Sequence, residues 1–174
     1  MKNIFWRSIN HNNATYFIFV TDKGICCVTT TLEKGEKWIY KAIGNCEIAE
    51  DNHNKILAIA VRELKSYLDG ECIIFSGPFD LYGTEFQKKV WHNMTKINHG
   101  KTQSYKELAL SVKNPKAVRA IGAACGANPV MIMIPCHRVI GSDGKLTGYA
   151  GGLSTKSSLL ELEKNYNSRL SSIL

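Results

Sequence analysis

Apolar positions in the first half of the chain come as short β-branched and aromatic runs. Residues 14–20 (ATYFIFV) and 24–31 (GICCVTTT) are two of them, joined by the turn-forming TDKG. Residues 4–9 (IFWRSI) predict a preceding strand. From His53 to Leu68 the period changes. Apolar residues at 56, 57, 59, 60, 61, 64 and 68 form a helical stripe, closed by Asp69-Gly70. A further short strand is predicted over 71–76 (ECIIFS). The pattern is a small sheet with one helix against it, of α/β character. Residues 77–83 (GPFDLYG), rich in Gly and Pro, read as a linker.

The second half is written in helices. Thr84 and Gln87 have capping-box spacing, and Phe86, Val90, Met94 and Ile97 then form an apolar stripe. Residues 98–103 (NHGKTQ) are a loop. Ser104 and Glu107 repeat the box and open a short helix over 105–112 (YKELALSV). Asn114, with Pro115 behind it, predicts the cap of a third helix through 116–125 (KAVRAIGAAC), stopping at Gly126. A last helix is expected over 154–166 (STKSSLLELEKNY), with Ser154 as its N-cap and Leu159, Leu160 and Leu162 on its apolar face.

Two short helices joined by KNP make a helix-turn-helix candidate. The second helix carries small residues, Ala117, Ala120, Gly122, Ala123 and Ala124, with Arg119 alone among them. That composition fits a helix packed inside a domain. It also fits close approach to a narrow nucleic-acid groove, with one long cation to insert.

Composition narrows the class. At 44% hydrophobic and 21% charged residues, the chain has the material for a globular core. The opening MKNIFWRSINHNN lacks the apolar region of a signal peptide, and no run approaches a membrane span. A cytoplasmic protein with reduced thiols is the expectation. The six cysteines (26, 27, 46, 72, 125, 136) show no CxxC spacing, so no metal site is expected. Charge is uneven. Residues 1–83 hold nine Lys/Arg against ten Asp/Glu, and residues 84–174 hold thirteen against five. The basic half suits a polyanionic partner or a solvated basic surface.

Within that half lies IPCHRVIGSDGKLTGYAGG, from Ile134 to Gly152. In an extended segment Cys136 and His137 would point to opposite faces. Cys136 is then either a buried structural thiol or a nucleophile served by a relay: a water, His137, and a carboxylate that orients the imidazole. Glu163 is the natural carboxylate in this half.

The blocks GTEFQKKVW (83–91), KTQSYKELA (101–109), KAVRAIGAACGANP (116–129), IPCHRV (134–139), TGYAGG (147–152) and KSSLLELE (156–163) stand in the order shown by the O6-alkylguanine-DNA alkyltransferases, also called methylated-DNA–protein-cysteine methyltransferases. The second half resembles that family throughout. The first half is similar only in its strand-then-helix character.

The resemblance implies a ribonuclease-H-like α/β domain over 1–80. It implies a mostly helical DNA-binding and alkyl-acceptor domain, with a winged-helix-like helix-turn-helix, over 81–174. It implies a monomer that binds double-stranded DNA, flips out O6-alkylguanine, and moves the alkyl group irreversibly to Cys136, once per molecule; O4-alkylthymine is a further candidate substrate. No cofactor and no metal are implied. Cys136 is the acceptor, His137 and Glu163 its relay, Tyr105 the proton donor to the leaving guanine, and Asn128 a turn-holding residue. Arg119 fills the gap in the duplex, and Ser104, Tyr105, Ala120, Ala123 and Arg138 also belong to the DNA contact. Cys136, Val139, Tyr149, Ala150 and Gly151 line the base pocket.

Departures are few. Position 150 is alanine where many members have serine, INHGKT (97–102) lacks a proline, and CGAN (125–128) lacks a basic residue. A lesion-binding protein without transfer, a transcription factor and a cysteine hydrolase are the alternatives. The first would lack the acceptor cysteine, the second leaves PCHRVI unexplained, and the third needs a histidine in direct contact.

Overall fold

The first strand, β1 (Lys2–His11), turns at Asn12 into β2 (Ala14–Val20), and the two pair antiparallel from Phe5–Val20 to His11–Ala14. Asn12 takes a left-handed φ of 50°, which asparagine tolerates and a tight hairpin needs. β3 (Ile25–Thr29) adds antiparallel to β2, and β4 (Cys46–Glu50) adds parallel to β1, giving the order β3-β2-β1-β4. Ile4, Ile18, Phe19 and Ile25 are fully buried in this sheet. The computed structural model describes residues 2–71 and 74–171. They fall into two units, one made of residues 2–69, 74–83 and 129–131, the other of 70–71, 84–128 and 132–171.

Two elements of the first unit go beyond the sequence reading: β4, and helix α1 (Leu32–Ile43), capped by Thr31. The apolar residues of α1 are diluted by charge and by Gly35 in its first turn. That glycine is structural: a Cβ there would overlap the Phe19 ring, so its absence lets α1 lie on the sheet. Helix α2 (Lys55–Leu68) is capped by Asn54, whose Oδ1 accepts from the N–H of Ile56 and Leu57, and it buries Leu57, Ala60, Leu64 and Tyr67.

Two expectations for this unit need correction. Of the strand expected over 71–76, residues 72 and 73 lie outside the described residues, and 74–76 form no strand. Ser76 is instead held by the carboxylate of buried Glu63, which accepts from its N–H and its hydroxyl. Residues 77–83 are not a loose linker. Ile25 N–H donates to Pro78 O at 2.8 Å and Asp80 N–H to Ile25 O at 2.9 Å. The Asp80 carboxylate accepts from Thr21 and Tyr82 hydroxyls at 2.7 and 2.8 Å. Charge-assisted bonds of this kind anchor a segment firmly.

The second unit contains α3 (Glu85–Met94), α4 (Tyr105–Ser111), α5 (Val118–Gly126) and α6 (Leu153–Ser171), with a two-stranded parallel ladder of β5 (Gln103–Ser104) and β6 (Val139–Ile140). Both capping boxes are formed, at Thr84 and at Ser104. Val90, Trp91, Met94, Leu108, Ala109 and Ile121 make a buried centre, and Trp91 Nε1 donates to Ala124 O at 2.8 Å. The third helix starts later than Asn114-Pro115 suggest. Lys113 takes a φ of 59° and Asn114 N–H turns back to Ala109 O at 2.9 Å, so residues 115–117 are spent on the turn. Gly126 is the last helical residue and Ala127 closes the helix. Ser154 lies inside α6, which follows Gly152 at a φ of 87°.

Candidate active site

Cys136–Arg138 form one 3-10 turn, not an extended segment. Successive side chains of such a turn diverge by about 120°, so Cys136 and His137 still point apart. Pro135 precedes the turn. Cys136 N–H is already committed to Ile134 O at 2.8 Å and Arg138 N–H to Pro135 O at 3.0 Å. The nucleophile's own backbone N–H is therefore unavailable as an oxyanion donor, which argues against acyl chemistry here.

His137 is fully buried, and its Nε2 lies 2.8 Å from Glu163 Oε1. Helix α6 delivers Glu163 by turning its Leu159 and Glu163 face inward, one helical turn apart. The carboxylate is heavily bonded. Arg138 Nε reaches both oxygens at 3.0 and 3.1 Å, Arg138 Nη2 reaches Oε1 at 2.9 Å, and Gly100 N–H reaches Oε2 at 2.8 Å. Burial alone would raise the Glu163 pKa, but the bonds and charges of His137 and Arg138 outweigh it and hold the carboxyl well below its usual range. Burial lowers the His137 pKa. A neutral imidazole donating Nε2–H to an anionic Glu163 satisfies both, and it turns Nδ1 into the proton acceptor.

Arg138 is turned into the protein. Expected at the DNA, it is 7% exposed, with its guanidinium on Glu163 and its Nη1 on Ile97 O at 2.6 Å. Three of its five N–H donors are thereby spent inside the protein.

The thiol is 8% exposed. Burial raises its pKa, opposed first by the Asn128 amide and then by the Lys156 charge. Asn128 Nδ2 lies 3.2 Å from Cys136 Sγ and 2.8 Å from Ile134 O. Asn128 thus donates toward the sulfur as well as holding the turn. Lys156 is fully buried, a cation to which the sequence reading gave no role. Its Nζ donates to Val139 O at 2.6 Å, Thr147 O at 2.8 Å and Gly148 O at 3.4 Å. It ties the segment before Tyr149 to β6. The signal was present: a lysine three residues before Leu159, on the apolar side of α6.

Tyr105 opens α4, and its hydroxyl donates to Thr147 O at 3.1 Å. Burial raises its pKa, so it is a neutral donor at physiological pH. Val139 is fully buried, Tyr149 and Gly151 are half-buried, and Ala150 is exposed. On α5, Arg119, Ala120 and Ala123 are exposed, while Ile121, Ala124 and Cys125 face inward. Cys125 lies 3.5 Å from Met94 Sδ, with its pKa pushed up to about 12, chiefly by burial; it is a core residue. The Ser104 hydroxyl is engaged in its capping box with Glu107.

The arrangement is a desolvated thiol with an amide donor on its sulfur, beside a neutral imidazole held by a carboxylate. That suits displacement at a carbon that carries its own leaving group.

Comparison with known proteins gives the same direction. Residues 85–165 match the model of the 6-O-methylguanine DNA methyltransferase DNA-binding domain. The chain is 39% identical to the inducible methylated-DNA–protein-cysteine methyltransferase of Bacillus subtilis, over 96% of this chain and 94% of that one. It is 47% identical to the methylated-DNA–protein-cysteine methyltransferase of Methanosarcina barkeri, over 76% and 87%. Among solved structures, the O6-methylguanine methyltransferase of Mycobacterium tuberculosis superposes with a TM-score of 0.79 at 36% identity, covering 94% of each chain. The Mycobacterium tuberculosis OGT in complex with DNA gives 0.79 at 34% identity, again over 94% of each. No helix among the described residues is long and apolar enough to cross a membrane. On these grounds the chain belongs to the methylated-DNA–protein-cysteine methyltransferase family.

Proposed function

We propose that this protein repairs DNA by direct reversal, moving the alkyl group of O6-alkylguanine onto Cys136. The observation that carries the reading is the thiol itself, bonded by Asn128 and adjacent to a His137 that Glu163 orients. The Cys136 proton passes through a water to His137 Nδ1. Sulfur attacks the alkyl carbon, the S–C bond forms as the C–O6 bond breaks, and the guanine leaves with a proton from Tyr105. The product is a thioether. Nothing in the site reverses it, so each molecule acts once.

The substrate is duplex DNA with the damaged base turned out, at a cost of a few kcal/mol of stacking. Exposed Arg119, on an otherwise smooth α5 face of Ala120 and Ala123, suits insertion into the vacated space. Tyr149, Ala150, Gly151 and Val139 form the base pocket on this reading, and Ser104 and Tyr105 flank the DNA. The same repertoire extends to O4-alkylthymine. The protein works as a cytoplasmic monomer. Its parts are a ribonuclease-H-like domain over 1–80 and a winged-helix-like catalytic domain over 81–174. The sheet order β3-β2-β1-β4 with α1 and α2 supports the first, and the α4–α5 pair beside the β5–β6 ladder supports the second.

The test is the intact mass of the protein after incubation with excess duplex carrying O6-methylguanine. One added methyl group per molecule, mapped to Cys136 and absent from Cys136→Ala, is expected. An unchanged mass with tight DNA binding would leave a lesion-recognition protein instead.

A further inference from the structure

A buried arginine next in sequence to the relay histidine needs a cause. Taking a guanidinium out of water is unfavourable unless its donors are satisfied and its charge is matched. Arg138 meets both conditions through Glu163 and the Ile97 carbonyl. Glu163 is also the group that orients His137, and Oε1 is shared between the imidazole and the guanidinium. Gly100, at a φ of 71°, brings its N–H onto Oε2. Ile97 and Gly100 lie on one loop, so that loop, Arg138 and Glu163 form a closed clamp behind the ring.

The clamp has a chemical consequence. A buried carboxylate facing only an imidazole would favour the imidazolium, and an imidazolium cannot accept the thiol proton. A bidentate guanidinium neutralises that carboxylate beforehand. Glu163 and Lys156 from α6 bear on His137, as does Arg138 on its own turn, where Cys136 is its neighbour. His99, on the 97–100 loop, bears on Glu163 and Arg138. Arg138 bonds directly to the carboxylate that holds the ring, through Nε and Nη2.

Resting on Cys136 as the alkyl acceptor, we infer that Arg138 is a positioning residue for the transfer: by clamping Glu163 to the 97–100 loop, it fixes the His137 ring and keeps it in its proton-accepting form. In this role Arg138 acts through Glu163.

The experiment is the pH dependence of single-turnover methyl transfer from duplex O6-methylguanine by the wild type, Arg138→Lys and Arg138→Gln. Nitrogen NMR titration of the His137 ring is run on the same proteins. The wild type should hold its rate to below pH about 6.5, the ordinary histidine value. Arg138→Gln should move the acid midpoint up by about one pH unit or more. Arg138→Lys, which keeps the charge and loses the fork, should restore most of the midpoint at a lower rate. Coincident midpoints in the wild type and Arg138→Gln would overturn the inference. Should Arg138→Gln not fold, the wild-type ring decides. A neutral His137 with its proton on Nε2 at pH 7 supports the clamp, and an imidazolium overturns it. Failure of the wild type to take up methyl would sink the transferase reading instead, while the NMR titration still reads Arg138.

Discussion

The side-chain amide of Asn128 stands 3.2 Å from the sulfur of Cys136. Its Nδ2 also donates to Ile134 O, and its own N–H donates to Cys125 O near the end of α5. One residue therefore links the helix that carries Arg119 to the thiol. Asn128→Ala should make the thiol harder to ionise and slow transfer by roughly 10- to 100-fold, the worth of a hydrogen bond to a charged group. The pH dependence of Cys136 alkylation by iodoacetamide measures this directly. An unshifted profile would remove Asn128 from the chemistry.

Lys156 sets two effects against each other. Its ammonium is costly to bury, but its loss strands the Val139 and Thr147 carbonyls. Lys156→Met should therefore lower stability by only about 1–2 kcal/mol. The segment before Tyr149 loses its tie to β6, so transfer should fall by about tenfold or more through misplacement alone. Denaturant unfolding and single-turnover rates, taken together, separate the two.

Arg119 is exposed on α5, and its replacement should leave stability within about 0.5 kcal/mol. Arg119→Ala should slow transfer from duplex DNA while leaving transfer from a free O6-alkylated guanine base unchanged. Equal losses on both substrates would place Arg119 in the pocket chemistry instead.

Acid should destabilise the fold in two stages. Burial holds His137 and His99 below 6.5, so the unfolded chain takes up those protons first. Stability is then complete above about pH 6.5 and declines below it, by up to about 1.4 kcal/mol per pH unit for His137. Glu163 is held below its ordinary 4.5. Its contribution is intact above that value and is lost only as pH falls further, through its folded value. Urea midpoints between pH 7.5 and 5.5 test the first stage, and a flat series would contradict a buried neutral His137.

Most of the site was legible because its elements announce themselves locally. The capping boxes at Thr84 and Ser104 fix where α3 and α4 begin, and with them the place of Tyr105. Cys136, His137 and Glu163 were readable as chemistry before any spatial arrangement was known. Arg138 was not. Its side chain is decided by Glu163, 25 residues on, and by the Ile97 carbonyl, 41 residues back, and a cation in a basic half reads by default as a DNA contact. The same applies to α1, whose close seat on β2 depends on Gly35 meeting Phe19. Residues 77–83 looked like a linker because Pro and Gly also serve a segment docked by backbone bonds to Ile25. What local pattern lacks in each case is the distant partner.

The chain's three tryptophans are Trp6, Trp38 and Trp91, and only Trp91 belongs to the second unit. Its indole N–H holds the Ala124 carbonyl of α5 from the neighbouring α3. The protein thus carries an intrinsic optical gauge on the helix that bears Arg119. In a Trp6→Phe, Trp38→Phe background, emission would come from that single indole. Its wavelength and lifetime would report, in real time, whether α5 stays seated while a duplex is engaged and released.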